Sequence, residues 1–250
     1  MGKLNGADGG NGACRLMRVI SLLMGAAAVH VSPDDVAPDR TLVVRELIEQ
    51  IKDRYGFSVA PAHQPAGAQQ PIMVFQDGAL VQKEARIPIY QLFLFGDGGA
   101  IVARHTDEAN AVLDDLIAFL GDAFGFRYQS TTLERLNTSN IVVDLDPSFT
   151  WSTPSFSIMR NLIHKTMGDN FKYHLKRITF GVDSSVNPPS ITSVKQFIGC
   201  DFIIEARANS PIDSNRFFSS APLPTNDHIY YLEKLEKSAI ERNWELGRSA

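Results

Sequence analysis

Asp144 and Asp146 stand two residues apart in the alternating stretch Ile141-Val-Val-Asp-Leu-Asp146. In an extended strand that spacing sets both carboxylates on one face, an arrangement that can hold a divalent cation or share proton transfer. Pro147 follows at once, and no Gly-Ser turn precedes the pair to cradle a phosphate, so the two acids serve equally as the polar end of a strand. Asp201 and Glu205, with Arg207, share one face of a second alternating stretch, 197–207. A metal or acid–base site built from these four acids requires the two strands to lie side by side against a concave wall.

The remaining reactive types offer less. The six histidines show no HxH, HxxxH or HExxH spacing, and His105 and His228 each stand at the entry to a helical stretch, beside Asp107 and Asp227. Cys14 and Cys200 lie too far apart in sequence to suggest a local disulfide, and two thiolates alone cannot close a zinc site. Gly96, Gly98 and Gly99 are followed by a strand pattern, so no helix N-terminus is available for a phosphate. No cofactor is expected. The aromatics Trp151, Phe217 and Phe218 lie in or beside Pro- and Ser-rich connections, where large rigid rings can anchor a partner or plug the end of a core.

The 250 residues carry a formal net charge of −4 and scattered basic positions, which argues against a surface built for nucleic acid. An apolar share of 44% and a charged share of 21% are globular values. No apolar run reaches the roughly 20 residues needed to span a bilayer. Residues 16–31, with Arg15 and Arg18 ahead of an apolar run, have the outline of an export signal but read equally as a buried element. The compartment expected is the cytoplasm, with export as the alternative if that segment acts as a signal.

Several elements are legible. Apolar residues at Val44, Leu47, Ile48, Ile51 and Tyr55 have helical spacing and Gly56 supplies a stop. A second helix runs from Thr106 to Phe124 before Gly125, and a third starts at Thr225-Asn226-Asp227 with Ile229, Leu232, Leu235 and Ala239 inward. Residues 72–104 read as an antiparallel meander with tight turns at Asp77-Gly78 and at Gly96–Gly99, since Asp-Gly between apolar strands is a strong hairpin signal. Ile89–Phe95 is apolar on both faces, as a doubly covered strand requires. A helix is expected over 156–167, and strands over 178–182 and 216–219.

The fold class expected is α+β, with antiparallel sheet and amphipathic helices packed on one face, in two similar halves of strands followed by a helix. Residues 1–13 are expected to be a disordered tail and 14–250 a single domain, with room for a subdomain boundary near 126–139. A patterned core without a convergent polar set favours a non-enzymatic interaction or assembly subunit, acting through a protein partner or self-association. The alternatives are a carboxylate-based, metal-dependent enzyme at Asp144, Asp146, Asp201 and Glu205, and a secreted or envelope binding module.

Overall fold

The computed structural model describes residues 17–31, 37–38, 43–61, 71–82, 85–127, 133–146, 149, 162–163, 165–166, 176–181, 198–199, 201–211 and 214–248. Its core is one antiparallel sheet of eight strands in the order β3-β4-β5-β1-β7-β10-β9-β8. These are β1 (Arg18–His30), β3 (Met73–Gln82), β4 (Ala85–Phe95), β5 (Gly98–Ala103), β7 (Glu134–Asp144), β8 (Arg177–Phe180), β9 (Phe202–Ala206) and β10 (Arg216–Ala221). Two short strands, β2 (Ala37–Pro38) and β6 (Phe126–Arg127), pair separately. The helices are α1 (Val44–Tyr55), α2 (Thr106–Phe124) and α3 (Thr225–Arg248). The chain is therefore an α+β protein with its helices on one face of the sheet.

The strand order reads the same from either end. Each half has a long central strand (β1 or β7), a three-strand meander (β3–β4–β5 or β8–β9–β10) and then a long helix (α2 or α3). In the first half α1 fills the connection from central strand to meander. In the second half the corresponding connection includes Leu162, Ile163, Lys165 and Thr166, which are helical; the rest of the helix expected over 156–167 lies outside the described residues, as do residues 1–13. The central strands pair antiparallel from Arg18 against Asp144 to His30 against Glu134.

Residues 18–30, the segment with the outline of an export signal, thus form a central strand. The small residues Gly25 and Ala27 face the front and let α2 approach it. A Cβ added at Gly25 would overlap the backbone of His105 and Thr106, where α2 begins. Above it the two long helices meet N-terminus to N-terminus: the Thr106 N–H donates to Thr225 Oγ1 (3.2 Å) and the Thr225 N–H donates to Thr106 Oγ1 (2.8 Å). Each helix so caps the other's first orphan amide. Asp107, Glu108 and Asp227 in the first turns offset two positive dipole ends brought face to face.

Asn137 of β7 bonds Asn110 of α2 (2.8 Å) and Ser139 of β7 bonds His228 of α3 (2.7 Å). Alternate strand residues share a face, so both helices cover the same front face. The first-half core beneath α1 and α2 includes Leu47, Ile51, Phe75, Leu92, Ile101, Leu113, Leu116 and Phe124. The Arg54 guanidinium donates twice to Asp115 (2.9 and 2.8 Å) and the Tyr55 hydroxyl donates once (2.8 Å), strapping α1 to α2. The second-half core is smaller: Met17, Ile141, Val143, Leu145, Phe149, Ile204, Phe217 and Leu232.

Two expectations need correction, the turn at Asp77-Gly78 and the strand over 197–207, while the helix expected from Thr106 to Phe124 is found with those bounds. Asp77-Gly78 is not a hairpin turn: β3 runs through it, and β3 and β4 pair from Met73/Leu94 to Gln82/Ala85. Asp77 does take the left-handed conformation (φ 56°), but as a kink, and a Cβ on Gly78 would fall 2.5 Å from the Phe57 ring. The kink receives the chain leaving α1, through Ser58 N–H to Asp77 C=O (3.3 Å) and Val59 N–H to Gln76 C=O (3.4 Å). The helix over 106–124 is capped by the His105 side chain accepting from the Asp107 N–H (3.1 Å). The strand expected over 197–207 is only β9: Ile198 is helical and Gly199 takes φ 74°, so the chain turns before Phe202.

Candidate interaction surface

Helices cover the central strands on the front face, so the candidate site is the back face of the second half. Register fixes which side chains meet there, because directly opposed residues share a face. One row crosses the sheet as Arg18 (β1), Asp144 (β7), Arg216 (β10) and Arg207, the last placed beside Arg216 by the Arg207 N–H donating to the Arg216 C=O (3.0 Å). The neighbouring row is Val142, Phe218, Glu205 and Arg177.

Asp144 is held from two sides. The Arg216 guanidinium donates to both its oxygens (2.6 and 2.9 Å) and Arg18 donates to one (3.0 Å). Bonding to Arg216, opposed by partial burial and reinforced by Arg18, keeps its carboxyl below the usual carboxylate range. Such a carboxylate is a bridge between cations, with its lone pairs spent. Arg177 stands 3.8 Å from Glu205, a loose pair exposed to solvent.

The four acids of the metal-dependent reading are not brought together. β10 separates β7 from β9 and Glu205 lies one row along from Asp144, which sets the two acids more than two strand spacings, or about 10 Å, apart. Asp146 lies past the end of β7 and is buried; its N–H donates to Glu236 Oε1 (2.6 Å) and its C=O accepts from Asn215 (2.8 Å). Asp201 precedes β9 and is exposed. Among the described residues no group of three His, Cys, Asp or Glu side chains is spaced to hold a metal ion.

The paired aromatics part company. Phe217 is 7% exposed, on the front face, edge-on to Phe149 with ring centroids 6.3 Å apart, so it is a core residue. Phe218 is half-buried on the back face between Val142 and Glu205. Trp151 lies outside the described residues.

Two polar groups are buried on the front: His228, which the sequence placed only at a helix entry, and Glu236, which it did not single out. His228, 0% exposed, bridges Ser139 Oγ at Nδ1 (2.7 Å) and Ser219 Oγ at Nε2 (2.8 Å), with its ring edge-on to Phe202. The Ser219 hydroxyl spends its one proton on the Ile203 C=O (2.8 Å). Nε2 is therefore the protonated nitrogen and Nδ1 accepts from Ser139. Burial pushes the imidazole down to about 4, against a raising contact from the Ser139 backbone. A serine beside a histidine can be a nucleophile and its base, but this one is sealed from solvent and every partner is spent, so it holds β7, β10 and α3 together. Glu236 likewise accepts from the Met17 N–H (2.8 Å) and the Asp146 N–H, tying α3 to the outer ends of both central strands.

The class that the fold defines is an α+β protein with a single mirrored antiparallel sheet, whose second half carries charged side chains on the back face. No protein-family model matches the chain, and no curated protein matches it. Among the described residues no helix is long and apolar enough to cross a membrane.

Proposed function

We propose that the protein works by contact, as an interaction or assembly subunit that presents the back face of its second half to a protein partner. The observation that carries this reading is the half-buried Phe218 on the back face of a hydrogen-bonded sheet, with Arg216 two residues away on its own strand and Arg177 beyond Glu205 in its row. Aromatic and arginine side chains on a rigid platform supply most of the energy in protein contacts, because they bury area at little entropic cost. The acids that an enzyme would need are spread over the sheet, bridged by arginine or buried, which supports contact over catalysis. The place of residues 18–30 at the centre of the sheet supports their retention, and with it a cytoplasmic rather than an exported protein.

The test is quantitative affinity capture from the native source with Phe218→Ala and Asp144→Asn, each checked for melting temperature. The contact reading expects Phe218→Ala to weaken capture of a specific partner severalfold with the melting temperature nearly unchanged. Loss of a catalytic or metal-dependent signal in Asp144→Asn, with capture intact in Phe218→Ala, would falsify it in favour of the enzyme.

A further inference from the structure

The two outer edges of the sheet are finished differently. At β3 the chain leaving α1 folds over the kink, and Val59 and Gln76 exchange backbone hydrogen bonds in both directions (3.4 and 3.1 Å). At β8 nothing comparable is present among the described residues. The Ala206 N–H donates to the Lys176 C=O (2.8 Å), which turns the peptide groups of Lys176, Ile178 and Phe180 toward β9 and those of Arg177 and Thr179 outward. No described group bonds those outward amides and carbonyls.

The side chains along this edge sort by face. Arg177 and Thr179 point to the back face; Ile178 and Phe180 point to the front, where Phe180 is 59% exposed and edge-on to Phe202 at 6.3 Å. Among the described residues in register across β1, β7, β10, β9 and β8, the back face carries Arg18, Arg177, Arg207 and Arg216 against Asp144 and Glu205. This is a local positive excess in a chain of net charge −4. The Arg207 side chain has no bonded partner among the described residues, and the Arg177–Glu205 pair is loose.

We propose that the β8 edge takes up an extended segment of a partner protein as a ninth strand, and that this segment alternates acidic and apolar residues. The outward peptide groups of Arg177 and Thr179 supply the main-chain bonds. Acidic side chains of the incoming strand meet Arg177 on the back face and lie toward Arg207. Apolar side chains meet Ile178 and Phe180 on the front. A four-residue strand bearing an arginine is also how proteins blunt an edge against promiscuous pairing. Here the same arginine makes the edge selective, because it repels basic strands and favours acidic ones. The inference rests on the contact reading above and names the chemistry of the partner.

The experiment is fluorescence anisotropy with the full chain and three probes: a labelled peptide of alternating Glu and Val, its isomer with the same residues in two blocks, and a short oligothymidylate. The alternating peptide binds, and the block isomer binds at least about tenfold more weakly. Thr179→Pro removes an outward N–H without touching a bond to β9, so the fold tolerates it and binding falls about tenfold or more. Arg177→Glu moves the preference to an alternating Lys/Val peptide, a reversal that a merely damaged fold would not give. Equal binding of the two isomers, or binding indifferent to Thr179→Pro and Arg177→Glu, overturns the proposal. So does tighter binding of the oligothymidylate, which would make the surface a phosphate site. Concentration-dependent dimers that Thr179→Pro abolishes would assign the edge to a second copy of this chain instead. If no peptide binds while capture remains sensitive to Phe218→Ala, strand addition fails and the contact reading stands.

Discussion

In the first half of the sheet, Ala26, Ala28, Phe93, Phe95 and Val102 form an apolar cluster on the back face with Ile198, while Ile89, Leu92 and Ile101 are buried on the front. In the second half the front mixes an apolar core with the buried Ser139, Ser219 and His228, and the back carries arginines, carboxylates and the half-buried Phe218 beside the buried Val142. The same topology is thus used in two ways. An apolar back face packed against its own chain serves as a foundation, whereas a back face bearing charged side chains can meet water or a partner. The cores follow suit, the first spreading over two helices and the second resting chiefly on α3 and its buried polar groups.

Truncating the helix anchors tests this contrast most strongly. Leu116→Ala and Leu232→Ala should each destabilise by about 2–5 kcal/mol, with Leu116 toward the upper end because its surroundings are larger and less able to collapse. Urea unfolding measures both. A larger loss at Leu232 would reverse the assignment of the first half as foundation.

Acid should find the second half first. His228 has a folded-state value near 4 against about 6.5 in the unfolded chain, so the unfolded chain takes up its proton first. The stability this residue contributes is fully present above pH 6.5, declines as pH falls toward 4, and is then lost, a total of about 3 kcal/mol. Urea midpoints of the parent and His228→Gln from pH 7.5 to 4 read the difference. An identical pH slope in the variant would place the acid sensitivity elsewhere. His30 and His105, the described histidines of the first half, both retain some exposure.

Gly78→Val should cost about 1–3 kcal/mol by driving a branched side chain into Phe57 and the chain that seals β3. A neutral result in thermal unfolding would mean that this edge is as loosely finished as β8. The smallest effects belong to the solvent side of the long helices: Asp114→Ala, despite its ion pair with Arg135, and Lys234→Ala, despite its place over Tyr230, should stay within about 0.5 kcal/mol.

What the sequence disclosed follows from the range of the forces involved. The helical stripe Leu47, Ile51, Tyr55 and the αL stop at Gly56 are local, and both were readable, as were Leu116 and Leu232 as inward positions. Asp77-Gly78 misled because a left-handed aspartate before glycine serves a hairpin and a strand kink alike; only the approach of Phe57 tells them apart. The opposite fates of Phe217 and Phe218 depend on which face of β10 meets α3, which alternation alone leaves open. The Thr106–Thr225 exchange and the clamp on Glu236 link residues ninety or more positions apart, and nothing near either residue announces a partner. The one available hint was that both long helices begin with threonine.

The pairing of β1 with β7 also sets the order in which this protein can be made. His30 leaves the ribosome about a hundred residues ahead of Glu134, its partner across the seam. At roughly 5–20 residues per second, that is about 5–20 s in which one flank of β1 has nothing to bond. The strand passes that interval with Gly25-Ala-Ala-Ala28 at its middle, about the least adhesive run that can still build a sheet interior. Gly25 and Ala27 on the front and Ala26 and Ala28 on the back thus give β1 little side-chain surface for a premature partner, and closure of the sheet waits on its most distant partner.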